Sequence, residues 1–287
     1  MFFPKEAGKR KLAAVMILVA MLTPLLAEGP EMEPEELVAR HLEALGPLEL
    51  LSALQNRTAQ GVGRLEVLLG GTGSLEGPAI FVSEGRKIFF SIRFDEPNYT
   101  AEEVSFDGED SYVGNIQPGV RSQLGQFLIQ FDDLVREGLL GGVLSTAWPL
   151  LDLEGRRPRL DYEGLKKING QELLELRYRM RKGARDFRIH LYFDPESFRH
   201  RATTYKLRIA APMGATIDES ARLFDTRLTL EEWFSDFHPT DDLDLPAHWT
   251  IRLTLDTGSG TFLTKWEMIY PEITHDLSID PQLFVLQ

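Results

Sequence analysis

The chain has 287 residues, 43% of them hydrophobic, with 44 acidic against 31 basic side chains and no cysteine. That composition can bury a core, which excludes a disordered or collagen-like polymer. A net charge of -13, with no basic block beyond the first dozen residues, excludes nucleic acid as a partner, and zero cysteines remove disulfides, thiolate catalysis and cysteine-ligated zinc or iron together.

The first element is an export signal. Lys5, Lys9, Arg10 and Lys11 precede an apolar run from Leu12 to Leu22, and Ala27 stands before an acidic stretch. The sequence predicts a signal peptide over residues 1–27, cleaved after Ala27, and a single domain over residues 28–287. Exported eukaryotic domains usually lean on disulfides, so an exported chain without cysteine is expected in the bacterial periplasm.

Next come two helices. Leu37, Val38, Leu42 and Leu45 recur at helical spacing and Gly46-Pro47 ends the run; a short second helix is expected over 48–54. From Asn56 onward the pattern alternates with period two, the sign of half-buried strands. Ile88, Phe90, Ile92 and Phe94 oppose Lys87, Ser91 and Arg93; Leu174, Leu176, Tyr178 and Met180 oppose Glu175, Arg177 and Arg179; Phe187, Ile189, Leu191 and Phe193 oppose Arg188, His190 and Tyr192. Tyr205, Leu207 and Ile209 form a further dry row, as do Trp249, Ile251, Leu253 and Leu255. Turn residues separate the strands at 70–73, 84–85, 107–108, 169–170, 182–183, 194–195 and 256–260. Between Pro118 and Leu151 the alternation fails, and Leu124, Phe127, Leu128, Phe131, Leu134 and Val135 take helical spacing, with a further short helix toward Trp148.

One dry and one wet face per strand implies an antiparallel sheet with a solvated outer surface. The expected fold is mainly β (α+β): a curved antiparallel sheet or half-open barrel of about ten or eleven strands, covered by the N-terminal and central helices.

Catalytic signatures are missing. Gly71-Thr72-Gly73-Ser74 lies between strands and reads as a hairpin turn; there is no G-x-S-x-G, H-E-x-x-H, P-loop or EF-hand pattern. His41, His190 and His200 read as surface histidines. His238, Asp241, Asp242, Asp244 and His248 fall within eleven residues and carry metal-binding chemistry, but with Pro239 and Pro246 among them they read as a solvated connection between strands. Asp218-Glu219 reads as an acidic surface loop. No metal, no cofactor and no enzymatic activity are expected.

Glu35-Glu36-Leu37-Val38-Ala39-Arg40-His41-Leu42-Glu43-Ala44-Leu45-Gly46, followed by a short helix and a first strand bearing Gly61 and Gly63, resembles the opening of the periplasmic outer-membrane lipoprotein-sorting proteins of LolA-like type. Trp233-Phe234-Ser235-Asp236-Phe237, then Leu243 to Pro246 and Trp249, and the tail Ile279-Asp280-Pro281 to Phe284, are similar to later segments of that group. The resemblance implies an apolar cavity holding lipid or lipoprotein acyl chains, with no gating arginine that can be matched. The cavity-lining candidates are the dry-row residues Ile88, Phe90, Ile92, Leu176, Tyr178, Phe187, Ile189, Leu191, Phe193, Tyr205, Leu207, Trp249, Ile251 and Leu253. Leu37, Leu42, Phe127, Phe131, Leu134 and Trp148 are the lid candidates. The implied partners are a lipid or acylated lipoprotein, with membrane-bound donor or acceptor proteins, and the chain itself is expected to be a monomer. Three roles stay open at this point: a carrier, an envelope-stress sensor on the same fold, or a hydrolase without a recognisable motif.

Overall fold

The computed structural model describes residues 31–183, 187–211 and 224–285. The signal segment and Asp218-Glu219 lie outside the described residues. Helix α1 (Pro34–Leu45) starts with proline in its first turn, where the missing N–H costs nothing, and with Glu35 and Glu36 at the positive end of its dipole. Its buried face is Leu37, Val38, His41 and Leu45. Gly46 closes it at φ +146°, and a Cβ there would fall 2.8 Å from the Asp242 carbonyl oxygen. Helix α2 (Leu48–Ala53) follows directly.

Twelve strands then form one open antiparallel sheet. They are β1 (Asn56–Leu69), β2 (Gly73–Glu84), β3 (Lys87–Arg93), β4 (Ala101–Phe106), β5 (Ser111–Val113), β6 (Arg159–Ile168), β7 (Gln171–Arg179), β8 (Arg188–Phe193), β9 (His200–Ile209), β10 (Thr226–Thr240), β11 (Leu243–Thr257) and β12 (Gly260–His275). Their order across the sheet is β5-β4-β3-β2-β1-β12-β11-β10-β9-β8-β7-β6. Every neighbour is consecutive in the chain except one pair, β1 with β12, which joins two meanders in the middle.

That order has a consequence for the middle of the chain. Strands β5 and β6 are consecutive in sequence but occupy opposite edges of the sheet, so the segment between them, residues 114–158, must cross a whole face. It does so as a chain of short pieces: α3 (Gln123–Gln130), α4 (Asp133–Arg136), 3-10 turns at Gly142–Leu144 and Pro149–Leu151, and α5 (Leu153–Arg156). Gly138, Gly141 and Gly142 all have positive φ and break the path into turns that hug the sheet. We call this crossing segment the plug.

The alternation places each strand's apolar row on the face the plug covers. Register carries one such row across the sheet: Val104 beside Phe90, Phe90 beside Phe81, Phe81 beside Ala59, Ala59 beside Ile273. Another runs from Met268 through Trp249 to Phe234. With the plug's Leu124, Phe127, Leu128, Leu134, Val135, Leu144 and Trp148, these residues make a single buried core.

Four expectations need correction. The strands number twelve, because the three-residue β5 is too short for alternation to register. The outer face is not uniformly wet: Phe89 and Val82 are covered by the tail residues Ile279, Leu283 and Phe284, and Tyr192 is buried beside Leu173 and Ala202. Ile209, assigned to a dry row, is 42% exposed at the end of β9. The stretch 238–248 is no open connection but the tip of the β10–β11 hairpin, with only Asp241 and Asp242 between the strands, both at positive φ.

Candidate functional site

The plug-covered face is the candidate site, and its polar residues explain how the plug is held. Polar side chains interrupt the apolar rows on this face, among them Arg57, Ser83, Glu102 and Glu232. All four are buried, and each is bonded to the plug. Ser122, the cap of α3, donates its hydroxyl to Glu102 Oε2 at 2.7 Å. The Gly141 amide donates to Glu232 Oε1 at 2.8 Å. Arg57 Nη1 donates to the Val143 carbonyl at 2.6 Å, and the Thr146 amide donates to Ser83 Oγ at 2.9 Å. A crossing segment of short turns leaves backbone groups that no ladder satisfies, and buried backbone groups require partners. The sheet supplies several of them, from Arg57, Ser83 and Glu232.

The two carboxyl groups are built alike. Glu102 also accepts from the Trp266 indole N–H at 3.0 Å and from the Tyr99 hydroxyl. Glu232 accepts from the Trp249 indole N–H at 3.0 Å and pairs with the Tyr205 hydroxyl at 2.6 Å. Neither has a basic partner. Burial pushes each carboxyl up to about 7, against the hydrogen bonds it accepts, which favour the charged form. The Tyr205 oxygen also lies 3.2 Å from the Leu139 carbonyl, a second plug group. A protonated Glu232 donating to Tyr205 frees the phenol proton for Leu139, so the neutral carboxyl satisfies every group present.

Aromatic rings lock the far end of the plug. The Trp148 indole N–H donates to His41 Nε2 at 3.2 Å, and His41 Nδ1 donates to the Phe198 carbonyl at 3.0 Å. That pair of bonds selects one neutral tautomer. The Trp148 and His200 ring centroids lie 4.6 Å apart, and His200 and Phe234 4.8 Å. Burial lowers His41 to about 4 and holds His200 well below the usual histidine range. Both were read from sequence as surface histidines. They are instead core residues, since His41 lies on the inward stripe of α1 and His200 opens β9 against the plug.

Every cavity-lining candidate belongs to the single buried core: Ile88, Phe90, Ile92, Leu176, Tyr178, Phe187, Ile189, Leu191, Phe193, Tyr205, Leu207, Trp249, Ile251 and Leu253. Of the lid candidates, Leu37, Phe127, Leu134 and Trp148 are buried in it, and Leu42 and Phe131 pack on its margin. Phe127, Phe131 and Phe187 cluster with ring centroids 5.0–6.0 Å apart. The sequence reading missed Glu102 and Glu232. The signal was present: each occupies an inward position of its strand's alternation, Glu102 ahead of Val104 and Phe106, Glu232 between Leu230 and Phe234.

Beside Glu102 the face opens to solvent. A cleft of about 230 Å³ is lined by Leu65, Val67, Tyr99, Phe262 and Trp266, with Arg121, Ser122 and Gln123 at the start of the plug on its other side.

The residues of the 238–248 stretch do not converge. His248 bonds Glu267, Asp241 bonds His275, and Asp244 pairs with Arg199. Among the described residues, Glu163, Glu175 and His190 bring ligand atoms within 4.8 Å of one another on the outer face. There the Tyr192 hydroxyl donates to Glu175 at 2.8 Å and Arg177 lies 3.8 Å from Glu163, so neighbouring side chains already offset these carboxylates. No helix among the described residues is long and apolar enough to cross a membrane.

No family model and no curated protein matches the sequence. Among solved structures, the chain is similar to a DUF1329 family protein from Desulfovibrio piger, at 14% identity over 88% of this chain and 98% of that one, with a TM-score of 0.46. It is also similar to a putative outer membrane lipoprotein-sorting protein domain from Vibrio parahaemolyticus, at 9% identity over 88% and 97%, TM-score 0.47. A LolA superfamily protein from Nitrosomonas europaea is similar at 11% identity over 89% and 99%, TM-score 0.44. None of the three superimposes closely enough to carry a residue's role across to this chain.

Proposed function

We propose that this chain is a binding protein of the bacterial periplasm that takes an apolar chain, of the kind carried by a lipid or an acylated lipoprotein, between the apolar face of its sheet and the plug. Binding is burial without catalysis. The observation that carries this reading is the way the face is covered. A broad apolar surface is closed not by a second sheet but by α1 and one crossing segment of short helices and turns, held by polar ties from the sheet and a patch of aromatic contacts.

From Ser122 onward the backbone–backbone hydrogen bonds of this segment run from turn to turn within it and none of the sheet's ladders includes it, so it can part from the face without breaking a strand pairing. An acyl chain supplies the compensating term. Each methylene removed from water contributes about 0.8 kcal/mol, so a sixteen-carbon chain contributes roughly 10 kcal/mol. The cleft beside Glu102 lies below the usual range of about 300–1,000 Å³ for a ligand pocket, so a long chain requires the plug to move away from β1 and β12. The candidate lining residues then become the wall of the site, and the lid candidates on the plug and α1 become its cover. Arg121 at the cleft's rim suits an anionic head.

Mass spectrometry of organic extracts from protein purified out of its own envelope tests this reading. Co-purified fatty acid or lipid in stoichiometric amount is expected. An extract free of lipid, together with no response to a fluorescent fatty-acid probe, would overturn it.

A further inference from the structure

A basic cleft stands at one end of the same face, on a chain whose net charge is -13. It has a volume of about 350 Å³ and, among the described residues, is lined by Arg86, Arg136, Arg156, Arg181 and Lys182 with two acidic residues, Asp133 and Glu137. Four separate segments bring these residues together. Arg86 comes from the β2–β3 turn, Asp133 and Arg136 from α4, Arg156 from α5, and Arg181 with Lys182 from the bend that follows β7. The cleft therefore spans both meanders of the sheet and the plug between them.

Two of its members have their charge accounted for. Arg136 bonds Asp132 at 2.6 Å and lies 3.4 Å from Asp110. Glu137 accepts from the Tyr178 hydroxyl at 2.5 Å, and burial raises it toward the neutral form. Arg156 differs. Its side chain is only 4% exposed, and Nη2 donates to the Ala147 carbonyl at 2.8 Å. Nε and Nη1 have no acceptor among the described residues, the Glu137 carboxylate standing 3.8 Å away. Arg86 donates to the Arg136 carbonyl and is close enough to Arg156 for the two guanidinium charges to oppose one another. A buried guanidinium with unpaired donors, in the wall of a cleft lined by further cations, is costly unless an anion completes it.

We infer that this cleft binds a phosphate group, with Arg86 and Arg156 as its principal cations and Arg181 and Lys182 at its mouth. Phosphate matches the forked donors of arginine and the excess of positive charge over Asp133 and Glu137 in the lining. The group is either free phosphate or the phosphate of a lipid head. The inference does not depend on the apolar-chain reading, since it rests on residues at the end of the face and not on its rows.

Isothermal titration and thermal melts of the whole protein test it. Inorganic phosphate is expected to release or absorb heat on binding and to raise Tm beyond an equal ionic strength of chloride. Arg86→Glu and Lys182→Glu, both surface changes checked for folding by their melts in chloride, are expected to weaken phosphate by about tenfold or more while leaving a fluorescent fatty-acid probe bound as before. Dihexanoylphosphatidic acid identifies the source: affinity about tenfold above that of inorganic phosphate assigns a lipid head, and equal affinity assigns the free anion. Identical melts in phosphate and chloride with no heat, or wild-type affinity in both variants, would overturn the site. Fatty-acid binding without phosphate binding would remove this inference and leave the proposed function standing.

Discussion

Glu102 and Glu232 each replace an apolar residue with a carboxyl that has no cation to pair with, and this sets how stability depends on pH. In the unfolded chain both titrate near 4.5; in the folded chain burial moves both to about 7. Between those values the folded state holds protons that the unfolded state has lost, so stability from this pair is full below pH 4.5 and falls as pH rises to 7. Each shift corresponds to about 3 kcal/mol at most. Glutamine at either position keeps the acceptor for the indole and offers its amide N–H to Ser122 or Tyr205. Glu102→Gln and Glu232→Gln are therefore expected to be more stable than wild type at pH 8, and the double variant to flatten the fall in stability between pH 5 and 7. Urea melts across that range check it, and a wild-type pH profile in the double variant would show that these carboxyls ionise freely. At this scale the sequence is partly legible. An acidic residue on an inward position is visible in the alternation, but its partners Ser122 and Gly141 lie on a segment whose path no periodicity announces.

The plug is the element on which the account turns. Its helical spacing is readable, since Leu124, Phe127 and Leu128 do lie on α3 and Leu134 and Val135 on α4. Its fragmentation is less so, because it depends on positive-φ glycines pressed against distant parts of the fold, Gly141 on the Phe81 ring and Gly142 on the Phe234 and His200 rings. Gly138 is the clearest: at φ +78°, a Cβ would stand 2.1 Å from the Ala147 carbonyl oxygen. Gly138→Ala is expected to destabilise by about 1–3 kcal/mol through that strain, read as a lower urea midpoint with an unchanged slope. A midpoint equal to wild type would mean that the turn relaxes and that the plug's path is not fixed there. The helices and turns flanking the strands were legible for a local reason. Proline, glycine and asparagine at the turns fix dihedral angles without reference to the rest of the fold.

Across the whole molecule, what the sequence does not announce is the seam between β1 and β12, residues 56–69 against 260–275. That pairing turns two meanders into one twelve-stranded sheet and sends β5 and β6 to its opposite edges, which in turn forces the plug across the face. Gly61 marks the seam, where a Cβ would stand 1.8 Å from the Ile269 carbonyl oxygen beside the irregularity in register at Gln60 and Val62. A lone glycine in a strand signals close approach of some backbone, but not which one. The inward rows were legible, and so was their cover by the central segment; whether that segment fills the face or leaves room on it was not, because a dry row reads the same whether a plug or a ligand lies against it.

The central claim is that plug and apolar chain compete for one face, and hydrogen exchange of the native protein tests it most directly. Amides of residues 122–151 are compared with and without saturating palmitate at pH 7. Palmitate is expected to lower protection across the plug, most at Gly141 and Thr146 where the ties to Glu232 and Ser83 break, while the strand amides of β10, β11 and β12 keep theirs. Unchanged or increased protection at Gly141 and Thr146, with palmitate shown to be bound, would contradict it and place the ligand elsewhere on the molecule.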